Sequence, residues 1–386
     1  MSNPIDVVYE RQWNPLVNLI PALIQLKRMG AFYGGFPKIR YTRAGIPSEL
    51  IKTFPVASVW NLLAGKAKLP KALALNEPRW IGEWVARQKN LAPTVWANGT
   101  AHRFLFAALK ERGHRLILER GSMHPVDYFL LPQRARKEAG YPYTLDLPAH
   151  VAEEERATKL ADAIIACSDC VRQSYIQRGY SPDQVLDGLF GINTGAFPLI
   201  NRQPAGGRPI RMGIVGVIGF RKGLFRLLKI GDWAARKGIA LELHFAGPIQ
   251  DPEAHGMFAK SQATCVLHGV IKGQRLLDML STCDLYALPS YEEGLPYSVL
   301  EAMSTGLAAL VSNDTGAREP VQHGKSGLVL HRFDNDEFDS ELEPILRDPQ
   351  RILEMGRAAH ERILENFTFD HYCQRIAKAL EVIDKH

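Results

Sequence analysis

The chain alternates short apolar runs with segments of helical periodicity along most of its length. β-branched and apolar runs bounded by Gly or Pro read as buried strands. Apolar residues recurring three and four positions apart read as helices. "IDVVYE" opens as a strand. "NPLVNLIPALIQLKRMG" follows as a helix, with Leu16, Leu19, Ile20 and Leu23 on one face and Pro21 as an interruption. "PTVWANG", "TAHRFLFAALKERG" and "HRLILERG" continue as strand, helix and strand, and "EEERATKLADAIIACS" runs from a helix into a strand at Ile164.

Residues 192–209, "INTGAFPLINRQPAGGRP", break this rhythm with Pro, Gly and Asn and no periodicity, and are read as the inter-domain linker, placed at 198–209 in the domain division. The alternation then restarts. "IRMGIVG", "ALELHFAG", "DLYALPS" and "AALVSND" are strands, and "LFRLLKIGDWAARKG" and "GQRLLDMLSTC" are helices. The tail, "FTFDHYCQRIAKALEVI", sets Phe369, Tyr372, Ile376 and Leu380 at helical spacing behind a candidate Thr368 N-cap. Two runs of the same alternation predict an α/β protein with two doubly wound parallel sheets and a ligand cleft between them. The expected domains are residues 1–197, a linker at 198–209, residues 210–366, and a terminal helix at 367–386 packing back toward the first domain.

Composition narrows the class without changing this picture. With 46% apolar and 23% charged residues the chain is ordinary for a globular protein, and no apolar run approaches a membrane span. "MSNPIDVVYERQW" has no basic start leading into an apolar core, so no signal peptide and a cytoplasmic location are expected. The net charge of +6 is uneven: residues 1–150 carry 21 Lys+Arg against 10 Asp+Glu, or +11, which leaves −5 for the rest. A basic first domain suits an anionic partner, either a phosphorylated acceptor or an acidic membrane surface touched peripherally. Its cations are scattered, so nucleic acid is not expected. The five cysteines are odd in number and widely spaced, against a disulfide framework. Cys167 and Cys170 form C-x-x-C, but no second Cys or His pair completes a zinc site, so buried thiols are expected.

Several motifs bear on chemistry. In "MGIVGVIGFRKG" a strand ends at Gly216, a turn holds Gly219, and Arg221-Lys222-Gly223 opens a helix. Glycines let a phosphate approach the backbone, a helix N-terminus offers N–H groups, and Lys222 adds a point charge. The alternative is a tight turn with two solvated cations. The spacing of Gly213, Gly216 and Gly219 is not that of a dehydrogenase dinucleotide fold. "HGKSG" at 323–327 lacks the upstream glycine of a P-loop and reads as a surface turn. "DNDEFD" at 334–339 lacks the glycine of a calcium loop and reads as an acidic helix start. "LILERGSMHP" ends a first-domain strand with Arg120, Gly121, Ser122 and His124, where a parallel strand presents groups to ligand. Arg120, Ser122 and His124 are therefore acceptor-side candidates.

The richest stretch is "PSYEEGLPYSVLEAMSTG", residues 289–306. Glu293 falls at the carboxyl end of a strand, and Gly294 to Ser298 present amides at the start of a helix. That combination suits a sugar hydroxyl together with a phosphate. The competing reading makes Ser298-x-x-Glu301 a capping box, with Glu301 satisfying a helix-end amide. Glu292 is read as a solvated neighbour.

On these residues the sequence resembles retaining glycosyltransferase family 4, which has the GT-B fold of two facing Rossmann-like domains. "PSYEEGLPYSVLEAMSTGLAALVSNDTGAREPVQHGKSGLVL" is similar to its C-terminal signature, whose glutamates match Glu293 and Glu301. "GIVGVIGFRKGLFRLL" resembles its phosphate loop, "LERGSMHP" an RGSxH variant of its first-domain loop, and "FTFDHYCQRI" its terminal helix. The likeness covers about residues 110–385. It implies a nucleoside-diphosphate-sugar donor in the second domain and an acceptor in the first. It further implies a retained anomeric configuration and no metal or other cofactor, while the basic first domain points to a glycan or lipid-linked acceptor in bacterial cell-surface glycan synthesis. By resemblance the donor site takes in Gly216, Gly219, Arg221, Lys222, Glu293, Gly294, Leu295, Pro296, Tyr297, Ser298 and Glu301. Lys222 would lie on the phosphates, Glu293 on sugar hydroxyls and Glu301 on the ribose. Lys222, Glu293 and His124 are the catalytic candidates. The chain departs from the family in having Val217 where an arginine is frequent, Asn193 for an aspartate, Arg120 or Gly121 in line with the common histidine, and no glycine-pair loop after the first strand. A nucleotide-sugar epimerase of the same fold and a non-catalytic nucleotide-sugar binder are the rival readings.

Overall fold

A computed structural model of the chain describes residues 3–9 and 14–385, with the side chains of 14–17 and 71 excepted. The Leu16 side chain and Glu10, both read above as parts of the first helix and strand, lie outside the described residues.

The residues form two compact units. Unit one gathers residues 1–126, 146–189 and 372–386, and unit two gathers 127–145 and 190–371. In unit one, strands β1 (Ile5–Tyr9), β2 (Met29–Gly34), β3 (Ile51–Thr53), β4 (Thr94–Asn98), β5 (Arg115–Arg120), β6 (Ala163–Ala166) and β7 (Val185–Asp187) make one parallel sheet of order β3-β2-β1-β4-β5-β6-β7. In unit two, β8 (Ile210–Val215), β9 (Leu241–Ala246), β10 (Thr264–Gly269), β11 (Leu285–Leu288), β12 (Ala308–Ser312) and β13 (Gly327–Leu330) make a second, of order β10-β9-β8-β11-β12-β13. The apolar runs of the sequence form the centres of these sheets because a parallel sheet is covered on both faces. Val7, Val8, Ile117, Ala287 and Val311 are all fully buried.

Each sheet reverses its strand order once, between β1 and β4 and between β8 and β11. At such a switch point the two flanking loops leave in opposite directions and open a crevice beyond the strands' carboxyl ends. The glycine turn after β8 and the "YEEGLP" turn after β11 therefore meet at one place within unit two.

Three boundaries differ from those read in the sequence. The first unit ends at Leu189 rather than at 197, so residues 190–197 and the expected linker 198–209 both belong to unit two. Residues 127–145, assigned there to the first domain, belong to unit two. Ala135 joins its apolar core, Tyr141 packs edge-on against Phe220 with centroids 5.2 Å apart, and Arg136 pairs with Glu253 at 2.6 Å. The last helix, Phe369–Lys385, passes from unit two into unit one at Tyr372. Within unit one Arg28 holds Asp384 in a two-pronged ion pair (2.7 and 3.1 Å), and Arg115 donates to the Ile383 carbonyl at 2.8 Å.

Candidate functional site

Glycines shape the floor of the crevice in unit two. Gly216, directly after β8, has φ +131°, and a Cβ there would touch the end of the Lys222 side chain. The loop then returns toward β11. Gly223, at φ +79°, caps the helix Leu224–Arg236, and a Cβ on it would collide with the Pro289 carbonyl. Tyr291 N–H donates to the Arg221 carbonyl at 2.9 Å and locks the two turns together. Gly223→Ala combines a left-handed backbone with that collision. It is expected to cost about 1–3 kcal/mol of stability, and thermal melts of the variant beside the wild type check it.

The charges converge on Glu293. Arg221 Nη1 donates to Glu293 Oε1 at 2.5 Å, to Glu292 Oε2 at 3.1 Å and to the Glu292 carbonyl at 2.9 Å, and Lys222 Nζ pairs with the same Glu293 oxygen. Burial pushes the Glu293 carboxyl up, but the Lys222 and Arg221 charges outweigh it and hold it below the usual carboxylate range. Glu292 is thus no solvated neighbour: it is fully buried and part of the arginine's seat. Nor are Arg221 and Lys222 solvated cations.

The helix Tyr297–Ser304 follows, with Pro296 as N-cap and no side chain capping it. The capping box read in the sequence does not form. Pro296 takes the cap position, which leaves Ser298 inside the first turn, where its Oγ accepts from the Tyr286 hydroxyl at 2.7 Å. Glu301 lies a turn further on, its carboxyl without a hydrogen-bond partner among the described residues, and burial alone pushes that carboxyl up to about 7. Tyr286, from β11, sits within the electrostatic reach of both Glu301 and Glu293. Val299 N–H donates to the Pro296 carbonyl at 3.1 Å, and the amides of Tyr297 and Ser298 ahead of it lack intrahelical acceptors. Gly294, Leu295 and Pro296 are buried, while the Tyr297 ring stacks on Phe190 with centroids 5.1 Å apart. Gly219 packs against Asp251, whose Oδ2 accepts from Phe220 N at 2.7 Å.

Beneath these loops lies Arg226, which sequence reasoning missed. It is 2% exposed, its guanidinium lies 3.7 Å from the Tyr291 ring centroid and 4.4 Å from that of Phe333, and it pairs with Asp314 at 2.8 Å. Its position in the helix Leu224–Arg236 reads as one polar residue within an apolar face, and nothing local marks it as buried.

The first-domain candidates form a different arrangement. Arg120 is 5% exposed and paired with Glu154 at 2.9 Å. His124 is fully buried: its ring stands edge-on to Tyr175 and Tyr180, its backbone N–H donates to Ser174 Oγ at 3.0 Å, and its Nδ1 accepts from Val126 N at 3.4 Å. Arg120 and His124 are thus packed inside unit one, and of the three candidates Ser122 alone is partly exposed. A nearby carboxyl not singled out in the sequence, Glu119 on β5, accepts from Asn98 Nδ2 at 3.0 Å, and burial pushes it up to about 7. Among the described residues no group of His, Cys, Asp and Glu is placed to hold a metal ion. Of the cysteines, Cys167, Cys283 and Cys373 are buried, and Cys170 and Cys265 are half-buried.

Residues 199–362 match the family model Glycosyl transferases group 1. The whole cluster from Gly216 to Glu301 lies inside that span. The chain is 30% identical over 196 residues to D-inositol 3-phosphate glycosyltransferase of Gordonia bronchialis, covering 51% of this chain and 36% of that protein. It is 26% identical over 246 residues to alpha-maltose-1-phosphate synthase of Mycolicibacterium smegmatis, covering 58% and 63%. It therefore spans less than two thirds of the length of either relative. Anabaena Alr3699/HepE, solved in complex with UDP and glucose, superposes with a TM-score of 0.72 at 16% identity, covering 98% of this chain and 100% of that one. With its two parallel-sheet α/β units, the chain has the GT-B fold.

Proposed function

We propose that the protein transfers a sugar from a nucleoside-diphosphate-sugar donor to an acceptor hydroxyl, with retention of anomeric configuration, as in family 4. The observation that carries this reading is the Arg221–Lys222–Glu293 cluster at the switch point of the second sheet, beside the amides that open the helix Tyr297–Ser304. Two cations and a helix N-terminus suit a diphosphate, and a carboxylate held ionised between them suits sugar hydroxyls. Arg221 stands where it can supply the charge that Val217 does not.

In the proposed step the bond between the anomeric carbon and the phosphate oxygen breaks, and its electron pair leaves with the nucleoside diphosphate. The acceptor oxygen bonds to the anomeric carbon on the same face, and the acceptor proton passes to the departing phosphate oxygen. Arg221 and Lys222 stabilise the negative charge as it develops. They supply the cationic charge without a metal, so chelation by EDTA is expected to leave the rate unchanged. Glu301 takes the ribose hydroxyls. The acceptor side belongs to unit one, with Ser122 as the exposed candidate. A glycan or lipid-linked acceptor in bacterial cell-surface synthesis fits the charge of +11 on residues 1–150.

Incubation with UDP-, GDP- and ADP-sugars tests the reading. Slow release of free sugar, or transfer to an added acceptor, is the expected result. Interconversion of the sugar nucleotide would make the protein an epimerase. Thermal stabilisation without turnover of any donor would make it a binder.

A further inference from the structure

The helix Val56–Lys66 of unit one is turned inside out. Its buried face is small: Ala57, Ser58 and Ala64. Its large apolar side chains point to solvent, with Trp60 42%, Leu62 59% and Leu63 56% exposed, and Val56 and Val59 exposed beside them. A surface helix ordinarily places such residues toward the core. Hydrogen bonds fix this orientation. Ser58 Oγ donates to the Gly35 carbonyl at 2.7 Å, Asn61 both donates to and accepts from the Leu75 backbone (2.9 and 2.8 Å), and Trp60 Nε1 donates to the Leu73 carbonyl at 2.9 Å. Turning the apolar face inward would break all of them. The chain beyond the helix extends the patch, with Leu69 and Leu73 exposed and Trp80 nearby.

Charge decides what covers this face. The stretch 56–75, "VASVWNLLAGKAKLPKALAL", contains no acidic residue and carries Lys66, Lys68 and Lys71; Lys66 and Lys68 are exposed at the edge of the patch. Protein–protein interfaces are depleted in lysine. At the surface of an anionic bilayer, by contrast, Trp and Leu sit at the headgroup boundary while lysines meet the lipid charges. The helix has 11 residues and is far too short to cross a bilayer, so it would lie in the plane of the surface.

We propose that this face seats the protein on an anionic lipid bilayer, with Val59, Trp60, Leu62 and Leu63 in the interface and Lys66 and Lys68 on the headgroups. The inference does not depend on the sugar-transfer reading, and its test uses no sugar nucleotide. The whole chain is sedimented with vesicles of phosphatidylglycerol or phosphatidylcholine. It is expected to bind the former at low salt, to release as salt rises, and to ignore the latter. Leu62→Asp with Leu63→Asp should weaken binding by at least about tenfold with an unchanged melting temperature, since both positions are exposed. Lys66→Glu and Lys68→Glu should each weaken it by about fivefold or more. Absence of binding to phosphatidylglycerol at low salt overturns the proposal, as does unchanged binding by the double leucine variant. A concentration-dependent dimer dispersed by that variant would instead assign the face to a second copy of the chain. As a check that needs no leucine variant, brominated phosphatidylglycerol should quench the protein's fluorescence, and Trp60→Tyr should remove most of the quenching. Quenching undiminished in Trp60→Tyr also overturns the placement.

Discussion

Glu293→Gln is expected to lower sugar transfer by about 100-fold while leaving diphosphate binding intact or tighter. The sequence alone suggests a residue that can be neutralised without consequence for folding. The structure changes that expectation, because Glu293 is the shared counter-ion of Arg221 and Lys222. Removing one partner of a buried ion pair leaves the other uncompensated and typically costs about 3–5 kcal/mol. Arg221 keeps Glu292, and both cations are partly exposed, so about 2 kcal/mol is expected here. The same loss of negative charge makes the pocket more attractive to a diphosphate. UDP should therefore raise the melting temperature of Glu293→Gln at least as much as that of the wild type, while transfer collapses. If UDP stabilises the variant less than the wild type, Glu293 organises the phosphate site rather than reading the sugar. The pH dependence follows the depressed carboxyl. The pair's contribution is present above the ordinary carboxylate value, and it is lost as pH falls through the lower folded value. The variant should lack that acid-side loss.

How much of this was legible in the chain depended on where each segment lies in its sheet. Central strands such as "DVVY" and "YAL" are covered on both faces and read as continuous apolar runs. The edges were missed. β3 is three residues long with Lys52 at its middle, and β10 is partly exposed along its length, so neither carries a burial signature. β2, "MGAFYG", has no β-branched residue and two glycines. The helix Pro125–Glu138 holds Pro132 within it and only a weak apolar stripe. In the site, the glycine turn and Glu293 were legible because both directly follow a strand. What joins Arg221 to Glu292 and Glu293 was not. That contact is made by the sheet order, which lays β8 beside β11 although they stand about 70 residues apart. Local grammar also misled in one place, since "SVLE" has the form of a capping box, but Pro296 holds the cap. In "RGSMH", spacing placed His124 in a loop, and only the packing of Tyr175 and Tyr180 shows its ring to be enclosed.

Glu301→Gln should move stability and nucleotide affinity in opposite directions. The Glu301 carboxyl has no hydrogen-bond partner among the described residues, and burial raises it from 4.5 to about 7. Between those two values the unfolded chain releases the proton and the folded chain keeps it, so stability falls as pH rises through that window. The fall amounts to at most about 3 kcal/mol. Glutamine fills the same volume and never ionises. The variant should match the wild type near pH 4.5 and exceed it above pH 7, and denaturant titrations at the two pH values measure the difference. Nothing in the ligand-free chain accounts for a carboxyl kept at such a disadvantage, whereas a pair of ribose hydroxyls donating to the ionised form would. Losing that charged acceptor should weaken nucleotide binding by about 10- to 100-fold. Hydroxyls that favour the ionised form must also make wild-type affinity for UDP climb as pH rises to 7 and level off above it, beyond any climb that the nucleotide's own phosphate causes in the variant. Calorimetric titration of both proteins with UDP across that range isolates the residue's share. Parallel affinity curves for the two proteins would remove Glu301 from the nucleotide site and leave its burial as an unexplained cost.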